Sequence, residues 1–219
     1  MLVLLILVVA AVGTIPVHST RHSNPAFESW FTQNKALIYF AALCFQSALF
    51  WIFCVIFLPK ISVMEVVGET WKNAKDLVRD ISIGIGAIAG VLCAAGLLFL
   101  IFGTNRPNIS DSIIFPQTAV QFYLLFLVLV SGAPIEEIIF RGYLQKQLAF
   151  FFKSETIAVL AQAVLFSLAH VGGNWRSMFL KFATGAIFGF IAWQRKSLLP
   201  SMAAHAGINA IAAIAIGIH

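Results

Sequence analysis

Apolar runs of bilayer length follow one another along this chain with only short breaks, and that succession admits few folds. A helix needs about 20 apolar residues to cross a ~30 Å hydrocarbon core. Stretches of that character run over roughly 2–17, 36–58, 81–103, 118–135, 156–171, 177–193 and 198–217. None alternates as a barrel strand would, and inside lipid only helices or closed barrels satisfy their own backbone. The expected fold is therefore all-α, a polytopic transmembrane helical bundle of about seven spans. Composition agrees, with 60% hydrophobic and 11% charged residues, where a soluble domain is nearer half and a quarter. The N-terminal "MLVLLILVVAAVGTIPV" lacks a basic lead and a small-x-small cleavage site. It reads as a short first span rather than a secretory signal.

The formal charge of +5 comes without any basic cluster interleaved with aromatics, so no nucleic-acid partner is expected. Positive residues instead sort by loop. Lys60, Lys72, Lys75 and Arg79, then Lys146 and Lys153, then Arg195 and Lys196 outnumber Arg21, Lys35, Arg106 and Arg176 in the intervening loops. That alternation places 59–80, 142–155 and 194–197 on the cytoplasmic side. Cys44, Cys54 and Cys93 all lie in apolar spans without ligand spacing and read as small hydrophobes. Gly86 with Gly90, and Gly185 with Gly189, form small-xxx-small pairs expected to let helices approach closely, with no role beyond packing.

Ionisable groups are expensive in a bilayer, so each one is a functional candidate. The first three spans carry almost none, and the later ones hold Glu136, Glu137, Arg141, His170, Lys181 and His205. This divides the chain into residues 1–114, membrane helices with a cytoplasmic amphipathic segment near 60–80, and residues 115–219, a four-helix membrane core. Glu137 and Arg141 are four apart with the acid first, the favourable order for a helical ion pair. Glu136 points ~100° away from that pair and needs another partner or a task. Pro134 removes the backbone bond to Val130 and loosens the helix just before it.

The helix carrying Glu136 is expected to run on to a turn at "KSE", residues 153–155, with Glu136 and His170 each 17 residues from Lys153. An antiparallel hairpin then sets acid and imidazole level. His205 and Asn209 share one face of the last helix. A straight bundle would leave His205 about 13 Å from the level of His170, unless tilts, the glycines at 172–173 or a broken helix closed the gap. Lys181 shows no obvious mate and reads as a side chain snorkelling to the interface.

Three motifs thus stand in order: "EEIIFR" at 136–141, "FSLAH" at 166–170 and "HAGIN" at 205–209, with "FRGYL" and "SLLPSMAAHAGIN" beside them. Over about residues 115–212 the chain resembles the CAAX-prenyl-protease and bacteriocin-processing (CPBP, Abi) family of intramembrane endopeptidases. The resemblance implies peptide-bond hydrolysis within the bilayer. Glu136 would activate water with the help of His170, Glu137 and Arg141 would orient and brace, and His205 with Asn209 would hold the oxyanion or a metal. The expected catalytic set is therefore Glu136, Glu137, Arg141, His170, His205 and Asn209.

The cofactor stays open. Glu136, His170 and His205 resemble a His₂Glu zinc set with an open water position, but a ligating Glu136 would have to pass the role of base to Glu137. The metal-free route is preferred. The resemblance further implies a peptide or protein substrate, such as a prenylated C-terminus or a leader peptide, and a multi-pass protein of a bacterial or archaeal plasma membrane.

Other intramembrane protease classes lack their residues. There is no HExxH and no GxSG, and Asp76, Asp80 and Asp111 lie outside the expected spans. The alternative from another class is a bacteriocin-immunity protein or a proton-coupled transporter. Against the transporter, the first three spans repeat none of the motifs.

Overall fold

A computed structural model describes residues 25–103, 115–170 and 175–217. Among the described residues the order is α1 (Pro25–Gln33), α2 (Lys35–Phe57), α3 (Val63–Val67), α4 (Ala74–Phe102) and α5 (Ala119–Glu137). A π-helical segment (Ile138–Leu144) then leads into α6 (Gln145–Phe152), followed by α7 (Glu155–Ala169), α8 (Trp175–Arg195) and α9 (Leu199–Gly217). No strand occurs among these residues, so the all-α expectation holds.

Six of the seven expected apolar stretches coincide with helices; 2–17 lies outside the described residues, as do Asp111 and the glycines at 172–173. Three helices are long and apolar enough to cross a membrane: α2, α4 and the continuous run Ala119–Phe152. Glu155–Ala169 and Leu199–Ala215 are shorter apolar helices. Trp51 on α2 and Ile85 and Leu100 on α4 are exposed, as expected where the solvent is lipid. The segment 60–80 holds no single amphipathic helix. It contains the five-residue α3, held by a Ser62–Glu65 capping box, and the first turns of α4, capped by Asn73.

Local chemistry sets the helix ends. Thr118 caps α5 and Ser154 caps α7 through their side-chain oxygens. Lys153 adopts left-handed backbone (φ 52°) and ends α6, so the hairpin turns where the "KSE" triplet was expected to turn it. α9 packs on α5 and α4, α8 on α7 and α4, and α2 on α5.

The loops sort onto two ends, in the grouping that the charge alternation expects. At one end Leu198 N donates to Val67 O (2.9 Å) and Glu69 N to Lys196 O (2.9 Å). Gly68 (φ +86°) sits so close to the Lys196 carbonyl that no side chain fits there. Buried Asp80 accepts from Arg195 (2.9 Å) and from the Trp71 indole (3.1 Å). Lys146 reaches Val66 O at 3.4 Å. At the other end Lys35 donates to Phe115 O (2.7 Å), and Arg176 donates to Gly103 O (2.9 Å) and Phe102 O (2.6 Å). Arg176 thereby satisfies carbonyls orphaned at the C-terminus of α4.

The glycine pairs divide. A Cβ on Gly185 would stand 3.0 Å from Ala163 Cα, so α7 and α8 meet backbone to backbone there. Gly86 faces open space and Gly90 meets only Ile187, so the first pair makes no close helix approach; on α4 it is Gly84 that nears Pro200 and Ala204. We expect Gly185→Leu to cost about 1–3 kcal/mol through forced separation, and Gly86→Leu to stay within about 0.5 kcal/mol. Thermal unfolding of the two variants in detergent checks the contrast.

Candidate active site

Pro134 sits inside α5, and the helix widens into its π-helical segment immediately after Glu137. A π turn re-aims side chains that a regular helix would stack, and here it lies within the motif "EEIIFR". Gly142 allows the packing that holds this segment: a Cβ there would collide with Val66 Cγ1 and press on Leu198. The short α3 and the α8–α9 link therefore back the motif directly.

Glu137 is wholly buried and Arg141 is 1% exposed. Arg141 Nη1 donates to Glu137 Oε1 at 2.9 Å, the ion pair expected from the sequence. The guanidinium also lies over the Phe166 ring, 4.3 Å from its centroid, with Phe140 and Phe188 beside it. Stacking on aromatic faces compensates part of the desolvation of a buried cation.

The same Glu137 oxygen is 2.9 Å from His205 Nδ1. A carboxylate can only accept, so Nδ1 carries the proton, and in the neutral ring Nε2 keeps its lone pair. His170 is fixed the same way, with Nδ1 donating to Phe166 O at 2.7 Å. Both Nε2 atoms then face one oxygen: Glu136 Oε2 lies 3.7 Å from His170 Nε2 and 3.8 Å from His205 Nε2. The Glu136 side chain is 23% exposed. Its Oε2, however, is sealed and has no hydrogen-bond partner within the protein. Both separations are too long for direct hydrogen bonds.

The hairpin arithmetic therefore places His170 correctly against Glu136. The straight-bundle estimate misplaces His205, because it counts backbone levels. Phe166, a turn before His170, is in ring contact with both imidazoles, with centroids 4.5 Å from His170 and 6.1 Å from His205. The His170 ring folds back over Phe166, and α7 stops at Ala169. Asn209 donates to Leu129 O at 2.8 Å, tying α9 to α5 two turns before Glu136. One of its two amide hydrogens remains for other use.

Charge-based searching passes over the neutral amides. Gln145 donates to Gly189 O (3.1 Å), and Gln162 donates to Gly185 O (2.7 Å). Both glutamines are buried. Gly185 and Gly189 thus do more than pack, because they expose carbonyls to these amides. The legible signal was Gln162, an amide between alanines in the apolar middle of α7. Gln46 likewise ties α2 to Ser131 Oγ at 2.7 Å.

The donor set has part of the chemistry of a zinc site. Two imidazole lone pairs and a carboxylate are suitable ligands, and both Nδ1 atoms have the outer partners that metal-binding histidines use. Two ligands of tetrahedral zinc stand about 3.4 Å apart, a little closer than the separations here. Among the described residues no group of three His, Cys, Asp or Glu side chains is placed to hold an ion.

Residues 118–211 match the family model described as Type II CAAX prenyl endopeptidase Rce1-like. This agrees with the family that the three motifs resemble, and the matched stretch contains all of them. It is a protease family. No curated protein and no solved structure matches the chain.

Removing the cation from this buried set should be far more damaging than removing the charge of the half-buried Glu136. Arg141→Met should cost about 3–5 kcal/mol, because it leaves Glu137 buried without its partner. Glu136→Gln should cost less than about 1 kcal/mol. Equilibrium unfolding in mixed micelles measures both.

Proposed function

We propose that this chain, Rce1-like over residues 118–211, is an intramembrane endopeptidase in which Glu136 is the general base. The observation that carries the reading is the partnerless Glu136 Oε2 facing the Nε2 atoms of two imidazoles. Water entering that point donates its two hydrogens to Glu136 and His170 and keeps a lone pair free for attack.

Glu136 takes one proton from the water as its oxygen bonds to the peptide carbonyl carbon. His170 Nε2 accepts the second water hydrogen and orients the molecule. The carbonyl oxygen becomes an oxyanion, which needs preplaced donors in a low-dielectric site. Asn209 offers its second amide hydrogen. His205 donates from Nε2 when that atom is protonated, and Glu137 balances the imidazolium through Nδ1–H. When the tetrahedral species collapses, the C–N bond breaks and the proton on Glu136 passes to the leaving nitrogen. Glu137 and Arg141 touch no reacting atom; they hold His205 and the helix bearing Glu136.

The substrate on this reading is a membrane-presented peptide or protein segment, and the protein is multi-pass with the 59–80, 142–155 and 194–197 loops on one side. A zinc-dependent route through Glu136, His170 and His205 is the competing mechanism, and one assay separates them. With purified protein and fluorogenic membrane peptides, Glu136→Gln should lower kcat by about 10²–10⁴-fold and His170→Ala should lower it by a similar order. Wild-type turnover should survive chelator. Undiminished turnover in Glu136→Gln would remove it as base, and loss with chelator restored by zinc would establish the metal route.

A further inference from the structure

The connector between α2 and α4, residues 58–73, belongs to no spanning helix, yet Ile61, Met64 and Trp71 on it are exposed. Both flanking helices are long and apolar enough to cross a membrane. The connector is therefore tethered at its two ends to one bilayer face. It is also held in a fixed orientation. Leu198 N donates to Val67 O, Glu69 N to Lys196 O, and Ser197 Oγ to Glu69 O at 2.6 Å. The Trp71 indole N–H is held by buried Asp80. Val66 and Val67 turn into the core, which leaves Met64 on the outward side of α3.

Charge completes this surface. Lys60, Lys72, Lys75 and Lys196 are exposed, and among the described residues none of them makes an ion pair. The arginines at this end are engaged, Arg79 with Asp76 and Asp80, and Arg195 with Asp80. Of the neighbouring acids, Glu65 turns back into its capping box with Ser62, and Glu69 stays exposed. Lysines beside outward apolar side chains at a bilayer face suit anionic headgroups, with ammonium meeting phosphate and the apolar groups entering the acyl boundary. Phe150 and Phe151 are exposed on α6, whose Lys146 reaches Val66 O. Aromatic side chains of that kind mark the interfacial level.

We infer that the connector is a docking surface for the anionic lipid of the leaflet it faces, with Ile61, Met64 and Trp71 in the acyl boundary and the lysines among the phosphates. The surface adjoins the motif helix, because Val66 also backs Gly142. It stands whether or not the site cleaves peptides. A nitroxide on Met64→Cys, in a chain whose Cys44, Cys54 and Cys93 are alanine, reports depth through collisions with oxygen and with a water-soluble nickel chelate. The labelled protein goes singly into nanodiscs of phosphatidylcholine, alone or with about one-third phosphatidylglycerol. Phosphatidylglycerol should raise the oxygen-to-nickel accessibility ratio about threefold. Combining Lys60→Gln, Lys72→Gln and Lys75→Gln should abolish that rise.

A second label at Leu92→Cys, exposed on α4, should report the acyl region in every disc and variant, which shows that the lysine changes leave the protein folded and inserted. A Met64 label that stays open to the nickel chelate in both lipids would overturn the inference. So would equal depth with and without phosphatidylglycerol, or a rise that survives loss of the lysines. Equal protection in uncharged detergent micelles would overturn it too, because the apolar contact would then need no anionic lipid.

Discussion

Glu137 is the constraint on which the rest of the site depends. One of its oxygens receives both the Arg141 guanidinium and the His205 Nδ1–H. A lone carboxylate or guanidinium at that depth would be strongly unfavourable, so each secures the other, and together they fix which nitrogen of His205 is protonated. The fixed tautomer in turn leaves Nε2 as a lone pair facing Glu136. On the proposed reading the two adjacent glutamates divide the work, with Glu137 setting geometry and Glu136 left open to a proton.

The surrounding fold serves that arrangement through close backbone approach. Glycines at 185 and 189 bring α8 against α7 and offer carbonyls to the buried amides of Gln162 and Gln145. Gly142 lets Val66 and Leu198 press on the π-helical segment. A neutral amide bond in a dry interior avoids the desolvation cost of a charge, yet it fixes register more narrowly than apolar packing does. The helices carrying Glu136, His170 and His205 thus meet at one point although they are distant in sequence.

Parts of this were legible in the sequence, and the reasons differ by residue. The Glu137–Arg141 pair follows from helical spacing alone. Glu136 opposite His170 follows from a single unbroken helix and a turn at Lys153–Ser154, both set by local chemistry. The approach of His205 was not readable, because it depends on side-chain reach, including the His170 ring folding back over Phe166. Its bond to Glu137 was equally hidden, since no short connection links the two helices. Gln145 and Gln162 escaped notice because they carry no charge. The pair Gly86 and Gly90 has the same spacing as Gly185 and Gly189, but Gly86 faces open space and Gly90 meets only the Ile187 side chain. Spacing reveals that a close approach is permitted, not that a partner is present.

The most direct measurement is solid-state ¹⁵N NMR of the imidazoles in lipid bilayers. Neutral His170 and His205 should both show protonated Nδ1 and bare Nε2, and Glu137→Gln should alter the His205 signals while leaving those of His170 in place. A His205 ring protonated at Nε2 instead, or one indifferent to Glu137→Gln, would contradict the account at its foundation.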